Sequence, residues 1–202
     1  MRPTRILEQE HRVIEQVLDG LQAMADRCQA EARLDAGVAR DAIDFLRHFA
    51  DGSHHAKEEA QLFPMMQRRG FPIDVGPIAV MLAEHEHGRA LIRQMERAID
   101  GAAAGESDAC AAFVQHARGY IAMLREHIEK EDHCLFPMAD EALTADDQNE
   151  LAQSFQRVEN DEIGAGVHEK YRRMAERLVG EYGVAAAGRA PEEPDRGCCE
   201  GH

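Results

Sequence analysis

The sequence predicts an all-α protein: an up-down-up-down four-helix bundle with an additional C-terminal helix and a flexible tail. Three observations lead there. Apolar residues recur at helical spacing through most of the chain, no sustained alternation marks a strand, and breakers cut the pattern into segments of bundle-helix length.

Ile6, Leu7, Ile14, Leu18, Leu21 and Ala25 form the first stripe. Gly37 precedes a second, begun by Ala42, Phe45, Leu46 and Phe49. The stretch RGFPIDVGP separates it from a third, made of Ile78, Met81, Leu82, Ile92 and Ile99. Gly101 through Gly105 break the pattern again before Tyr120, Ile121, Leu124, Ile128 and Leu135 form the fourth. Leu143 to Asp146 ends the bundle, with Thr144 or Asp146 placed to cap the next helix. That fifth helix is expected over 146–182 from Leu151, Phe155, Val158, Val167, Tyr171, Met174 and Leu178. Its internal Gly164-Ala165-Gly166 costs about 1 kcal/mol of helix propensity per glycine and suits close packing or a bend. The domain organisation is therefore a bundle over 1–142, an added helix over 143–182, and a Cys-containing tail over 183–202 whose small residues, prolines and charges predict disorder.

The bulk numbers exclude some functions. With 23 basic against 38 acidic residues and a net charge of −15 over 202 residues, the chain lacks the positive face a nucleic-acid binder needs. The N-terminus MRPTRILEQEH has no apolar leader, and no stretch approaches 18 apolar residues, so the expectation is a cytoplasmic protein without a membrane span. Five cysteines, odd in number and scattered, fit a reducing compartment better than a disulfide framework.

The chemistry is written twice. HHAKEEAQLFP begins at His54 and EHIEKEDHCLFP ends at Pro137; shifted by 73 positions, His54 falls on His127, Lys57 on Lys130, Glu58 on Glu131, and Leu62-Phe63-Pro64 on Leu135-Phe136-Pro137. A histidine and a carboxylate four apart share one helix face and can reach one metal or two adjacent ones. His127 and Glu131 lie inside the apolar stripe of Leu124, Ile128 and Leu135, where a charge is costly unless paired. His85 sits between Met81 and Ile92 in the third stripe, and His11 between Leu7 and Ile14 in the first. In the second helix, spacing alone allows His54/Glu58 or His55/Glu59. The repeat selects His54/Glu58 and leaves His55 and Glu59 as neighbours able to hydrogen-bond a ligand. The candidate metal ligands are thus His11, His54, Glu58, His85, His127 and Glu131. Imidazole and carboxylate donors without thiolate suit iron or manganese, and bundle cores are where such paired-metal sites are built.

Other candidates carry less. His87 should face water, and His48, His116, His133 and His168 read as ordinary. Tyr120 shares the row leading to His127 and reads first as a core tyrosine, while His168 could close over the bundle mouth. The two Leu-Phe-Pro segments read as hydrophobic plugs whose proline ends or kinks the helix. Cys198 and Cys199 lack the partners of a complete zinc site.

The order His11, then HHAKEE with LFP, then AEHEHGR, then HIEKED with LFP resembles the hemerythrin-like (HHE cation-binding) family over residues 1–142. GPIAVMLAEHEHG is similar to the hemerythrin domain of the di-iron repair-of-iron-centres proteins. The resemblance implies a non-haem di-iron centre, two iron ions oxo- or hydroxo-bridged and joined by two carboxylates, on the six residues named above. It further implies small oxidants (dioxygen, peroxide or nitric oxide) as partners. The second implied role is iron handling, with iron donated to a damaged iron–sulfur protein under oxidative or nitrosative stress. Two positions depart from oxygen-carrying hemerythrins: Arg89 stands where they place a second third-helix histidine, and their last carboxylate would fall on Asp132 rather than Glu131. The pattern is thereby not that of a simple oxygen carrier. Ligands alone assign no enzymatic activity.

Overall fold

A computed structural model of the chain describes residues 2–158 and 167–182, and within them every regular element is helical. Helix α1 spans Pro3–Glu31, its proline placed in the first turn where a missing N–H costs nothing. Helix α2 (36–68) is one rod of changing winding. It starts as Ala36–Phe45, capped by the Asp35 carboxylate accepting from the amides of Gly37 and Val38, and continues as a π-helical stretch Leu46–His55. A second π stretch, Glu58–Leu62, leads into Phe63–Arg68. Helix α3 is Gly76–Ala103, and α4 (107–142) joins Ser107–Lys130, a π stretch Glu131–Leu135 and Phe136–Ala142. Pro64 and Pro137 therefore do not end their helices. Each follows a π stretch and opens a final α segment, where its missing N–H is tolerated. Gly105, at φ 82, supplies the left-handed turn between α3 and α4.

Of the predicted fifth helix the structure describes two segments, both helical. Helix α5 is Ala145–Arg157 and α6 is Val167–Tyr182; Gly164 to Gly166 and the tail with Cys198 and Cys199 lie outside the described residues, as does the side chain of His168. Thr144, not Asp146, is the cap: its hydroxyl accepts from the Asp147 amide while the Asp147 carboxylate accepts from the Thr144 amide at 2.8 Å. The two segments pack on different parts of the bundle. Tyr171 of α6 packs on Phe45 and Phe49, and Leu178 lies against Gly20 of α1. Leu151 and Phe155 of α5 pack instead with Leu7, Phe63, Met66 and Phe136.

Two apolar clusters result. The larger includes Ile14, Leu18, Phe45, Ile92, Phe113 and Leu124; the smaller includes Leu7, Leu62, Met81, Leu135 and Phe155. Every candidate ligand falls along its rod between a member of one cluster and a member of the other. A polar layer is thus sealed by hydrocarbon on both sides.

Arg69 grips the Asp147 cap with two hydrogen bonds of 2.8 Å, and these hold the Asp147 carboxyl well below the usual range. A depressed folded-state pKa means the contribution exists above the unfolded carboxylate range and is lost on acidification through the folded value. Asp147→Asn should melt below the parent chain at pH 7, with the gap narrowing below about pH 4; thermal melts at both pH values measure it.

Candidate metal centre

The four rods bring the predicted side chains into that layer. His11 comes from α1, His54 and Glu58 from α2, His85 from α3, and His127 and Glu131 from α4; each is buried, with Glu58 and Glu131 at 0% exposure. Two groups form in which all donor atoms lie within 4.8 Å of one another: His11, His54, Glu58 and Glu131 in one, and His55, Glu58, His85 and His127 in the other. Six members are those the repeat and the stripes selected. The seventh, His55, was expected to be a neighbour.

The outer nitrogens explain how the rings are aimed. His11 Nδ1–H donates to Asp132 at 2.7 Å, His54 to Glu10 at 3.0 Å, His85 to Glu59 at 2.7 Å and His127 to Glu84 at 2.9 Å. Each of those carboxylates is held in turn by a cation: Asp132 by Arg12, Glu10 by Lys57, Glu59 by Arg89 and Glu84 by Lys130. With Nδ1 carrying the proton, each Nε2 presents a lone pair to the centre. The lone pairs meet: His11 Nε2 lies 2.9 Å from His54 Nε2, and His85 Nε2 lies 3.2 Å from His127 Nε2. Facing ring nitrogens at that distance repel unless a proton or a metal cation lies between them.

The carboxylates have the same need. None of the four oxygens of Glu58 and Glu131 has a hydrogen-bond partner. Glu58 places Oε1 at 3.6 Å from His54 and Oε2 at 3.4 Å from His85; Glu131 places Oε1 at 3.4 Å from His127 and Oε2 at 3.2 Å from His11. Each carboxylate therefore faces both groups, one oxygen to each. Burial and the adjacent Glu131 push Glu58 well above the carboxylate range. Burial alone would raise Glu131 too, but His127, His11 and His54 outweigh it and hold it down at about 2. Burial likewise lowers His54 and His55 well below the ordinary imidazole value, while at His11 the hydrogen bond to Asp132 and the nearby Glu131 carboxylate outweigh burial and lift it to about 9. These residues fit a pair of cations: nitrogen and oxygen donors, no thiolate, all inward, with four carboxylate oxygens lacking partners.

Several expectations are refined by this arrangement. Asp132 and Glu59, the alternatives to Glu131 and Glu58, point away from the centre and orient His11 and His85. The phenylalanines of the Leu-Phe-Pro segments are ledges for the rings, Phe136 stacking on His11 and Phe63 on His85. Tyr120 is buried beside Gly88, and His87, His48 and His133 are exposed. Sequence reasoning missed the orienting carboxylates Glu10 and Glu84. Their signal is the dipeptide Glu-His, at 10–11 and again at 84–85, which extends the internal repeat to α1 and α3.

A bundle that buries such a set defines a cation-binding helical protein, and comparison with known families agrees. Residues 2–139 match the family model described as the hemerythrin HHE cation-binding domain. The chain belongs to that family. It is 27% identical to the uncharacterized protein Rv1995 of Mycobacterium tuberculosis over 158 residues, which is 78% of this chain and 61% of that one. It is 36% identical to the iron-sulfur cluster repair protein YtfE of Enterobacter sp. over 90 residues, 43% of this chain and 40% of the relative, and 33% identical to YtfE of Citrobacter koseri over 97 residues, 46% and 44%. The chain thus spans about three fifths of the mycobacterial relative it matches and less than half of the repair proteins. No solved structure gave a significant match.

Removing one buried, unpartnered carboxylate should relieve the metal-free protein while disabling it, since an apolar replacement of a buried charge is often neutral or stabilising. Metal-free Glu58→Leu should melt no lower than the metal-free parent. Added Fe(II) should raise the melting temperature of the parent, by about 4 kcal/mol of stability at a thousandfold excess over Kd, and should not raise that of the variant. Calorimetric melts with and without metal read both.

Proposed function

We propose that the chain is a cytoplasmic non-haem di-iron protein that binds, senses or reacts with small oxidants such as dioxygen, peroxide or nitric oxide. One observation carries the reading: four imidazole lone pairs and four unpartnered carboxylate oxygens converge in a layer closed by hydrocarbon on both sides. His11 and His54 would hold one iron and His85 and His127 the other, with Glu58 and Glu131 spanning the pair. Bound iron supplies redox change and open coordination positions for a small oxidant. The chain's part is to fix the rings through Asp132, Glu10, Glu59 and Glu84, and to keep bulk water out with Phe63, Phe136 and the apolar clusters. Among the described residues no helix is long and apolar enough to cross a membrane. The chain purified from iron-rich medium should carry two irons by elemental analysis, with a near-ultraviolet charge-transfer band that Glu58→Ala and Glu131→Ala abolish. A metal content near zero refutes the reading.

A second reading is favoured by the likeness to proteins described as iron-sulfur cluster repair proteins: an iron-handling protein that donates iron to a damaged iron–sulfur protein. On this reading the iron-loaded chain restores the absorption of an apo iron–sulfur protein faster than an equal concentration of free Fe(II). A variant lacking Cys198 and Cys199 shows whether the tail takes part.

A further inference from the structure

The two halves of the centre are built on one plan. Glu10-His11 corresponds to Glu84-His85, His54 to His127, Lys57 to Lys130, Glu58 to Glu131, Glu59 to Asp132, and Phe63 to Phe136. In the space around the cations the plan is broken at one adjoining position: His55 on α2 corresponds to Ile128 on α4. The backbone differs at the same place. Leu46–His55 is π-helical, whereas Ser107–Lys130, which covers the matching stretch of α4, is α-helical to its end. Because a π turn advances less than about 100° per residue, two adjacent side chains can both point inward.

They do. His55 is 4% exposed, its ring lies against His85 with centroids 3.9 Å apart and planes 15° apart, and it meets His127 edge-on at 5.6 Å. Neither ring nitrogen makes a hydrogen bond, although Nδ1 lies 3.4 Å from Asp51, which is itself anchored by Arg89 at 2.8 Å. Asp51 therefore stands to His55 as Glu59 does to His85, a carboxylate behind Nδ1 that leaves Nε2 as the donor. A solvent-free imidazole nitrogen with no partner is destabilising, a cost that a core leucine at this position would avoid.

We propose that His55 is a ligand of the metal position formed by His85, His127 and Glu58, so that the centre is unsymmetrical. One cation has two imidazoles, His11 and His54, and the other has three. This rests on the di-iron reading above only in requiring that the layer binds two cations. The more nitrogen-rich position fills first.

Zinc, diamagnetic and free of redox chemistry, tests the geometry without any activity. In long-range proton–nitrogen spectra of the full chain with labelled histidine and two equivalents of Zn(II), five rings should show a metal-bound nitrogen. The His55 ring, assigned as the signal missing in His55→Leu, should be among them through Nε2. In competition titrations the parent should bind two zinc ions in distinct steps, and His55→Leu should weaken the tighter step by about tenfold or more and leave the other within twofold. Circular dichroism of the metal-free variant checks its fold; if it does not fold, the His55 ring is assigned in the parent chain from its contacts with the His85 and His127 rings. Two zinc ions bound with His55 unligated, or a titration unchanged in His55→Leu, overturns the inference alone. A parent chain that binds no ion overturns the inference and the di-iron reading together.

Discussion

Two carboxylates buried among four imidazole lone pairs set the terms for the rest of this molecule. An ionised carboxylate removed from water costs several kcal/mol unless donors or cations surround it, and Glu58 and Glu131 have no donors at all. Two hydrophobic clusters hold them there, closing above and below so that neither side chain can turn to solvent. The apolar burial of the bundle thus stabilises an arrangement that would be unfavourable alone, and the centre keeps its unmet demand for positive charge.

The outer ring of contacts converts that demand into a defined shape. Four imidazoles are each locked by a carboxylate, and each carboxylate by an arginine or lysine. Such pairs at a surface would contribute little. Here they fix the tautomer and direction of a ligand, and two of the cations, Lys57 and Lys130, come from the same repeated motif as the ligands they support. The π stretches beginning at Glu58 and Glu131 serve the same end, since π turns widen the rod where a side chain must reach across it. The strict likeness of the two halves makes the exception at His55 stand out: a repeated plan with one histidine added is a centre whose two positions are no longer equal.

Helical spacing, a twofold repeat and the order of motifs were enough to read the all-α fold, the family and the six side chains that the bundle brings together. These are local properties. A stripe repeats along one helix whatever lies opposite, and a histidine within it must face inward. The doubling of His-x-x-x-Glu resolved a choice that spacing left open, because a register shared over eleven residues is improbable by chance. The dipeptide Glu-His in α1 and α3 was equally visible, but nothing in one sequence says that a glutamate beside an inward histidine will orient a ring on another helix.

What only the tertiary structure decided depends on helix phase and on contacts between distant residues. His55 lies inside because Leu46–His55 winds as a π-helix, so the phase carried from Phe45 and Phe49 at 100° per residue does not reach it intact. The apolar residues of the C-terminal segments serve different clusters, Leu151 and Phe155 one and Tyr171 and Leu178 the other, a division that only contacts with the bundle decide. Asp132 and Glu59 hold rings rather than face cations, since each lies one residue beyond the carboxylate that points inward. The sequence by itself determined which faces of the rods are apolar and which histidines interrupt them. The packing of four rods decided which nitrogen points inward and which acid stands behind it, because those directions come from partners between 26 and 121 residues away.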